Sequence, residues 1–166
     1  LPSLMSTDYP SSRYAINRLY GFGNVLKEKG YETAFFHGGN NGTMSFNTTS
    51  RSSGFDKYYG RDEYNNDSDF DGTWGIYDEP FLQFTAEKLN EFNKPFAAAI
   101  FTLSSHHPYS LPENYIAKEA TNKEHLSPFE KTVKYADYAL GEFFNTISQY
   151  EWFDKTLFVI TADHVN

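Results

Sequence analysis

The sequence predicts an α/β fold, a mainly parallel sheet flanked by helices, and three observations carry that prediction. Short apolar or aromatic runs of strand length at 31–36, 96–103 and 156–161 alternate with longer stretches of helical periodicity at 14–29, 78–93 and 127–149. The run from Phe96 to Leu103 is almost continuously apolar, as in a strand covered on both faces. Each run also leads into a polar or Gly-rich cluster, where ligands of open α/β sheets gather.

Each element has a local reason. In the first helix Ile16, Leu19, Val25 and Leu26 recur at helical spacing, Lys27 and Lys29 fall in the last turn, and Gly30 ends it, while Gly21 and Gly23 weaken it. Tyr31 to Phe36 is aromatic and partly β-branched and runs into His37-Gly38-Gly39-Asn40-Asn41-Gly42, a strand followed by a tight loop. Residues 43–73 mix Asn, Ser, Asp and Gly with Phe55, Tyr58, Tyr59 and Phe70, which predicts an irregular loop pinned by rings and long enough to cover a pocket. Asp78, Glu79 and Pro80 suit a helical first turn, and Phe81, Leu82, Phe84, Ala86, Leu89 and Phe92 form its apolar stripe. The last helix presents Val133, Ala136, Leu140, Phe143, Phe144 and Ile147 on one side. Thr156 to Thr161 then reads as a buried strand leading through Ala162 to Asp163-His164.

Composition limits the function classes. The 166 residues fit one domain, with 39% hydrophobic and 19% aromatic content, enough for a core. A formal charge of −8 with only 14 scattered Lys and Arg argues against a nucleic-acid surface. No cysteine is present, which removes disulfides and thiol catalysis and is compatible with an oxidising exterior. No apolar run approaches the roughly 18 residues of a membrane span, and Leu1-Pro2-Ser3-Leu4 lacks the pattern of a signal peptide. The abrupt start and the end just beyond a strand lead to the expectation of an excerpt, a truncated open sheet.

Three polar clusters follow the three predicted strands. Asp163 and His164 supply one oxygen and one imidazole nitrogen, a ligand set suited to Mn²⁺, Zn²⁺ or a related divalent ion, although a strand-end Asp also caps helices and turns. His106-His107-Pro108 is either a polar loop held extended by Pro108 or a site in which one ring donates to anionic oxygens or moves a proton. In the cluster after the first strand, turn formation explains Gly38, Gly39 and Gly42, whereas His37, Asn40 and Asn41 are left over as hydrogen-bonding groups for an anionic or polyol head group. His125 reads as plain surface, and the three Asn-x-Ser/Thr tripeptides at 41, 47 and 66 occur too freely by chance to be informative.

With those residues in place, the chain resembles the catalytic domain of the lipoteichoic acid synthase family, the sulfatase-like phosphoglycerol transferases of the alkaline phosphatase superfamily. The carriers of the resemblance are Pro2 to Met5, Gly30 to Thr43, Gly54 to Arg61, Trp74 to Phe81, Leu103 to Pro108 and Phe158 to His164. The resemblance implies a partial sulfatase-like domain over residues 1–166, with a threonine nucleophile and a further acidic ligand upstream of Leu1. It implies that Asp163 and His164 hold a divalent metal, commonly manganese, with zinc, magnesium or calcium as alternatives. His106 matches the histidine of an Asn-His-x-Pro-like loop, in the catalytic role, and His37 matches a substrate-contacting histidine, with Asn40, Asn41 and His107 completing the expected substrate-binding set. The implied chemistry is transfer or hydrolysis of phosphoglycerol or a related phosphate ester through a phospho-threonine, by a membrane-anchored protein on the extracytoplasmic face of a bacterial membrane. The chain departs from the Gram-positive synthases at Gly39, Met44 and Phe46, where those enzymes carry Asp, Trp and Arg; Arg51 is the nearest replacement in sequence. The rival expectations are a sulfatase or phosphoethanolamine transferase on the same fold, and a non-catalytic anion- or carbohydrate-binding domain.

Overall fold

A computed structural model describes residues 9, 12–14, 17, 19–119 and 125–163. In chain order the elements are α1 (Phe22–Lys27), β1 (Glu32–His37), α2 (Phe46–Ser52), β2 (Lys57–Tyr59), α3 (Arg61–Tyr64), α4 (Asp78–Asn90), β3 (Phe96–Phe101), α5 (Glu113–Glu119) and α6 (Pro128–Ile147). The three strands form one parallel sheet in the order β2-β1-β3, with Phe35 opposite Tyr58 on one side and Ala99 on the other. Sheet and helices therefore alternate as the α/β prediction requires.

Alternation along β1 sorts its side chains into two layers. Ala34 and Phe36, both fully buried, face α4 and pack with Phe81 and Leu89; Phe96, Ala98 and Ile100 of β3 join the same cluster. Burial of a Phe such as Phe36 contributes about 2–3 kcal/mol. Phe35 points the other way, against Phe46 of α2, Phe55 and Tyr58 at ring separations of 6.0, 5.8 and 6.0 Å. Outside α4 lies α6, where Ala139, Phe143 and Ile147 meet Leu82 and Ala86. Ser127 caps α6: its hydroxyl accepts the Glu130 N–H, and Glu130 accepts back from the Ser127 N–H at 2.8 Å, a reciprocal box.

Several elements differ from the sequence prediction. The helix expected over 14–29 is confined to α1, because Gly21 starts it: the Gly21 N–H donates to the Asn24 side chain at 3.0 Å, and Gly30 closes the following turn at φ +82°. The stretch 43–73 is not one irregular loop but contains α2, β2 and α3. On α6 the buried stripe is Thr132, Tyr135, Ala139, Phe143 and Ile147, one step round from the expected face, so Val133 is exposed. β3 is half-buried along its whole length rather than covered on both faces, as befits a strand at the edge of this sheet.

The largest correction is at 156–161, which is not a strand of the sheet. Phe158 packs on Phe144 and Phe153 at 5.0 and 5.5 Å, but Leu157, Val159 and Ile160 are 88%, 79% and 68% exposed. Its apolar sequence favours a strand only when a ladder partner and a covering layer are present, and among the described residues it pairs with neither edge. Pro2 to Met5 and His164 lie outside the described residues. Among the described residues no helix is long and apolar enough to cross a membrane.

Candidate functional site

The carboxyl ends of β1 and β3 bring two of the three polar clusters together. After His37 the chain passes through Gly38 and Gly39, and Gly39 bridges Gly75 in antiparallel fashion; the Ile76 N–H donates to the Gly38 carbonyl at 3.0 Å. Glycine is required on both sides of this contact. A Cβ at Gly39 would lie 2.5 Å from the His37 ring, and one at Gly75 would collide with the Gly38 carbonyl. The neighbouring Trp74 packs against His106 with ring centres 4.4 Å apart and the rings tilted by 59°. Residues 74–76 are thus the seam joining the loop after β1 to the loop after β3.

His106 is exposed, and its tautomer follows from its partner. Its Nδ1 lies 2.9 Å from the His107 carbonyl, which can only accept, so Nδ1 carries the proton and Nε2 is left as the free nitrogen. The Trp74 indole N–H donates to the same carbonyl at 2.6 Å, fixing the ring from a second direction. The backbone of His107 therefore orients His106, while its own exposed imidazole sits edge-on to Tyr109 at 5.6 Å.

The loop bearing His106 is gripped from beneath by Asp78, at the first turn of α4. The Asp78 carboxylate accepts the Leu103 N–H at 2.8 Å and the Ser104 N–H at 3.1 and 3.2 Å, and the Asp78 N–H donates to the Ser104 hydroxyl at 2.9 Å. Asp78 is 3% exposed, and burial pushes its carboxyl up to about 6 against the opposing pull of those N–H groups. The acidic first turn was legible in the sequence; its grip on a loop 25 residues away was not.

His37 has the opposite setting. It is 1% exposed, covered by Phe46 at 4.5 Å and Phe101 at 5.6 Å, with the Tyr58 hydroxyl 3.5 Å from Nδ1. Burial lowers it to about 4, so the ring is neutral at physiological pH, and a ligand reaches it only where Phe46 gives way. Phe46 is placed there by two consecutive left-handed residues, Met44 at φ 47° and Ser45 at φ 58°, a strain of about 1 kcal/mol or more each. Phe46 is thus an apolar cover over His37.

Asn40 and Asn41 part company. Asn41 donates to both oxygens of Glu63 at 3.1 and 3.0 Å and so ties its loop to α3. Asn40 instead lines a cleft of about 400 Å³ with Arg61, Asp62, Asn65 and Asp67. Arg61 was missed as a site residue because its place beside Asn40 comes from the pairing of β2 with β1, whereas Arg51, nearer in sequence, is exposed on α2.

Asp163 is exposed at the end of the unpaired segment that follows α6, and among the described residues no three His, Cys, Asp or Glu side chains form a metal-holding group. The donor chemistry of Asp163 and His164 suits a divalent ion, but Asp163 is not joined to His37 or His106 in such a group.

The fold and loops have counterparts among known proteins. The chain is 27% identical over 143 residues to lipoteichoic acid synthase 1 of Bacillus subtilis, covering 84% of this chain and 22% of that protein. It is 27% identical over 154 residues to phosphoglycerol transferase I of Citrobacter koseri, covering 86% of this chain and 20% of that protein. The chain thus spans about a fifth of the length of these relatives. Among solved structures it resembles an alkaline phosphatase superfamily protein from Vibrio parahaemolyticus, with a TM-score of 0.70 and 34% identity over 86% of this chain and 36% of that one. The lipoteichoic acid synthase LtaP of Listeria monocytogenes shares the fold, with a TM-score of 0.69 at 24% identity over 81% of this chain and 34% of that one. Matching the family over residues 1–166, the chain belongs to the Sulfatase family.

Proposed function

We propose that the chain is part of the catalytic domain of an enzyme that transfers or hydrolyses phosphoglycerol or a related phosphate ester in the building of cell-envelope lipids or polymers. The full-length protein is anchored in a bacterial membrane with this domain on the extracytoplasmic face. The observation that carries the reading is the presentation of His106: an exposed imidazole with Nε2 free, held by Trp74 and the His107 carbonyl at the carboxyl edge of a parallel sheet, in a member of the Sulfatase family whose relatives include a lipoteichoic acid synthase and a phosphoglycerol transferase.

In this reading a threonine oxygen from another part of the full-length protein, its hydroxyl proton given up to solvent, bonds to phosphorus as the bond to the leaving oxygen breaks, and protonated His106 gives its Nε2 proton to that oxygen. Asp163 and His164 would hold a divalent ion, manganese before zinc, magnesium or calcium, and the chemistry it would supply is stabilisation of negative charge on the phosphoryl oxygens. Asn40 and His107, both exposed at the carboxyl edge, contact the substrate. His37 supports the wall from behind Phe46 as a buried neutral ring, and Asn41 holds the loop in shape.

The test is release of diacylglycerol from a phosphoglycerol-headgroup lipid by the full-length protein with Mn²⁺. Turnover that falls about 10²–10⁴-fold in His106→Ala supports the proposal. Saturable Mn²⁺ binding lost in Asp163→Ala supports the metal assignment. Release of sulfate from an aryl sulfate, or transfer of phosphoethanolamine, with no diacylglycerol formed from the phosphoglycerol lipid, replaces it with one of the rival enzymes. No turnover of any of these esters and no metal binding would leave a binding domain.

A further inference from the structure

The cleft beside Asn40 is built on the opposite side of β1 from His106, since β2 and β3 flank β1. Arg61 opens α3 directly after β2, and its backbone N–H donates to the Gly39 carbonyl at 3.1 Å, which stitches the cleft to the loop leaving β1. Its guanidinium is held on three sides. Nε donates to Asp67 at 2.8 Å, one Nη donates to the Asn40 side-chain oxygen at 3.1 Å, and the group lies over the Phe70 ring at 3.7 Å. Two of the five N–H groups of an arginine are used in these bonds. The Asn40 oxygen is occupied by Arg61, which leaves its amide N–H groups for a ligand.

Charge decides what kind of ligand fits. Arg61 is the one cation in the lining, against the carboxylates of Asp62 and Asp67, and its hydrogen bond holds the Asp67 carboxyl below the usual carboxylate range. A phosphate or sulfate brought here meets more negative than positive charge. A hydroxyl both donates and accepts, and the cleft offers both: N–H donors on Arg61 and Asn40, oxygen acceptors on Asp62 and Asp67, and an amide on Asn65 that supplies each. The volume of about 400 Å³ lies within the range of small-ligand sites and takes a sugar ring or a glycerol unit.

The geometry points to this cleft as a subsite for an uncharged polyhydroxyl group, a hexose or a glycerol unit, next to but separate from the loop that carries His106. It deepens the proposed function by naming the hydroxylated part of a donor or acceptor as the group held at Asn40, yet it stands on binding alone and can succeed or fail without turnover.

The experiment uses the full-length protein carrying His106→Ala, with glycerol, glucose and glycerol 3-phosphate as probes in saturation-transfer difference NMR. Saturable binding of glucose or glycerol, at least 10-fold tighter than that of glycerol 3-phosphate and weakened 10-fold or more by Arg61→Ala, supports the subsite. Glucose favoured over glycerol assigns a sugar, and the reverse assigns a glycerol unit. Because Arg61→Ala also releases Asp67 and Asn40, Asp62→Asn is measured beside it: it removes one charge, and it narrows the preference for the neutral probe by strengthening glycerol 3-phosphate. Each affinity is read from the part of the binding that Arg61→Ala removes, so that a phosphate held at the His106 loop is not counted; tighter binding of glycerol 3-phosphate than of either neutral probe in that part overturns the proposal in favour of an anion site. Absence of saturable binding, or binding untouched by both substitutions, overturns it as a plain surface groove. If glycerol or glucose binds as expected while the wild-type protein turns over no phosphate ester, the subsite stands and the proposed reaction falls.

Discussion

His37 and His106 follow adjacent parallel strands at the same edge of one sheet, and they end in opposite environments. His37 is sealed by Phe46, Phe101 and Tyr58 and kept neutral down to about pH 4. His106 is exposed, with one nitrogen committed to a backbone carbonyl and the other free. Strand topology delivers both to the place where open α/β sheets bind ligands, but the residues that follow decide which one meets solvent. After β1, Gly38 and Gly39 let residues 74–76 approach the strand exit closely, and Met44 and Ser45 turn Phe46 over the ring. After β3, Asp78 grips Leu103 and Ser104 so that the next turn projects outward.

The comparison breaks most readily at His106. On the proposed chemistry, His106→Ala lowers turnover of a phosphoglycerol lipid by about 10²–10⁴-fold with an unchanged denaturation midpoint. His37→Ala has the reverse signature, a loss of about 2–4 kcal/mol in chemical denaturation from the cavity it leaves. Asp78→Ala strands the buried Leu103 and Ser104 N–H groups; it costs about 2–4 kcal/mol, and turnover falls with it as the His106 loop loosens.

A pH series sharpens the contrast next. The unfolded His37 imidazole takes up a proton near its ordinary 6.5, whereas burial holds the folded one down to about 4. Stability from this group is therefore complete above pH 6.5 and is lost as pH falls through about 4, a change on the order of 3 kcal/mol. Asp78 runs the other way: its folded value, raised by burial from 3.8 to about 6, gives stability present below 3.8 and lost as pH rises through 6. Denaturation curves from pH 7 to 4 in an Asp78→Asn background isolate the His37 slope, and His37→Phe flattens it. The smallest effect belongs to Trp74→Phe, which keeps the ring against His106 but removes the indole N–H from the His107 carbonyl, for about 0.5–1.5 kcal/mol, or roughly 2–10-fold in turnover.

The sequence makes β1, α4, β3 and α6 legible because each has its own pattern: an aromatic run before glycines, an acidic first turn with an apolar stripe, a continuous apolar run, a long stretch with apolar residues at helical spacing. β2 has no such signal. Its three residues become a strand through pairing with β1, with Lys57 reaching Glu32 at 2.8 Å. The segment 156–161 is the converse case, a strong strand pattern with no ladder. Within the site, the strand-exit positions of His37, Asn40 and His106 could be read from the sequence. The cover of Phe46, the grip of Asp78 and the cleft around Arg61 could not, since each joins residues through tertiary contacts that no local window contains.

The most direct measurement of the difference between the two histidines is their rate of modification by diethyl pyrocarbonate in the folded full-length protein, followed residue by residue by mass spectrometry alongside turnover. The structure predicts fast modification of His106 at its free nitrogen, with activity lost at the same rate, and His37 protected until the protein unfolds. Modification of His37 as fast as His106, or full activity after His106 has reacted, would contradict it.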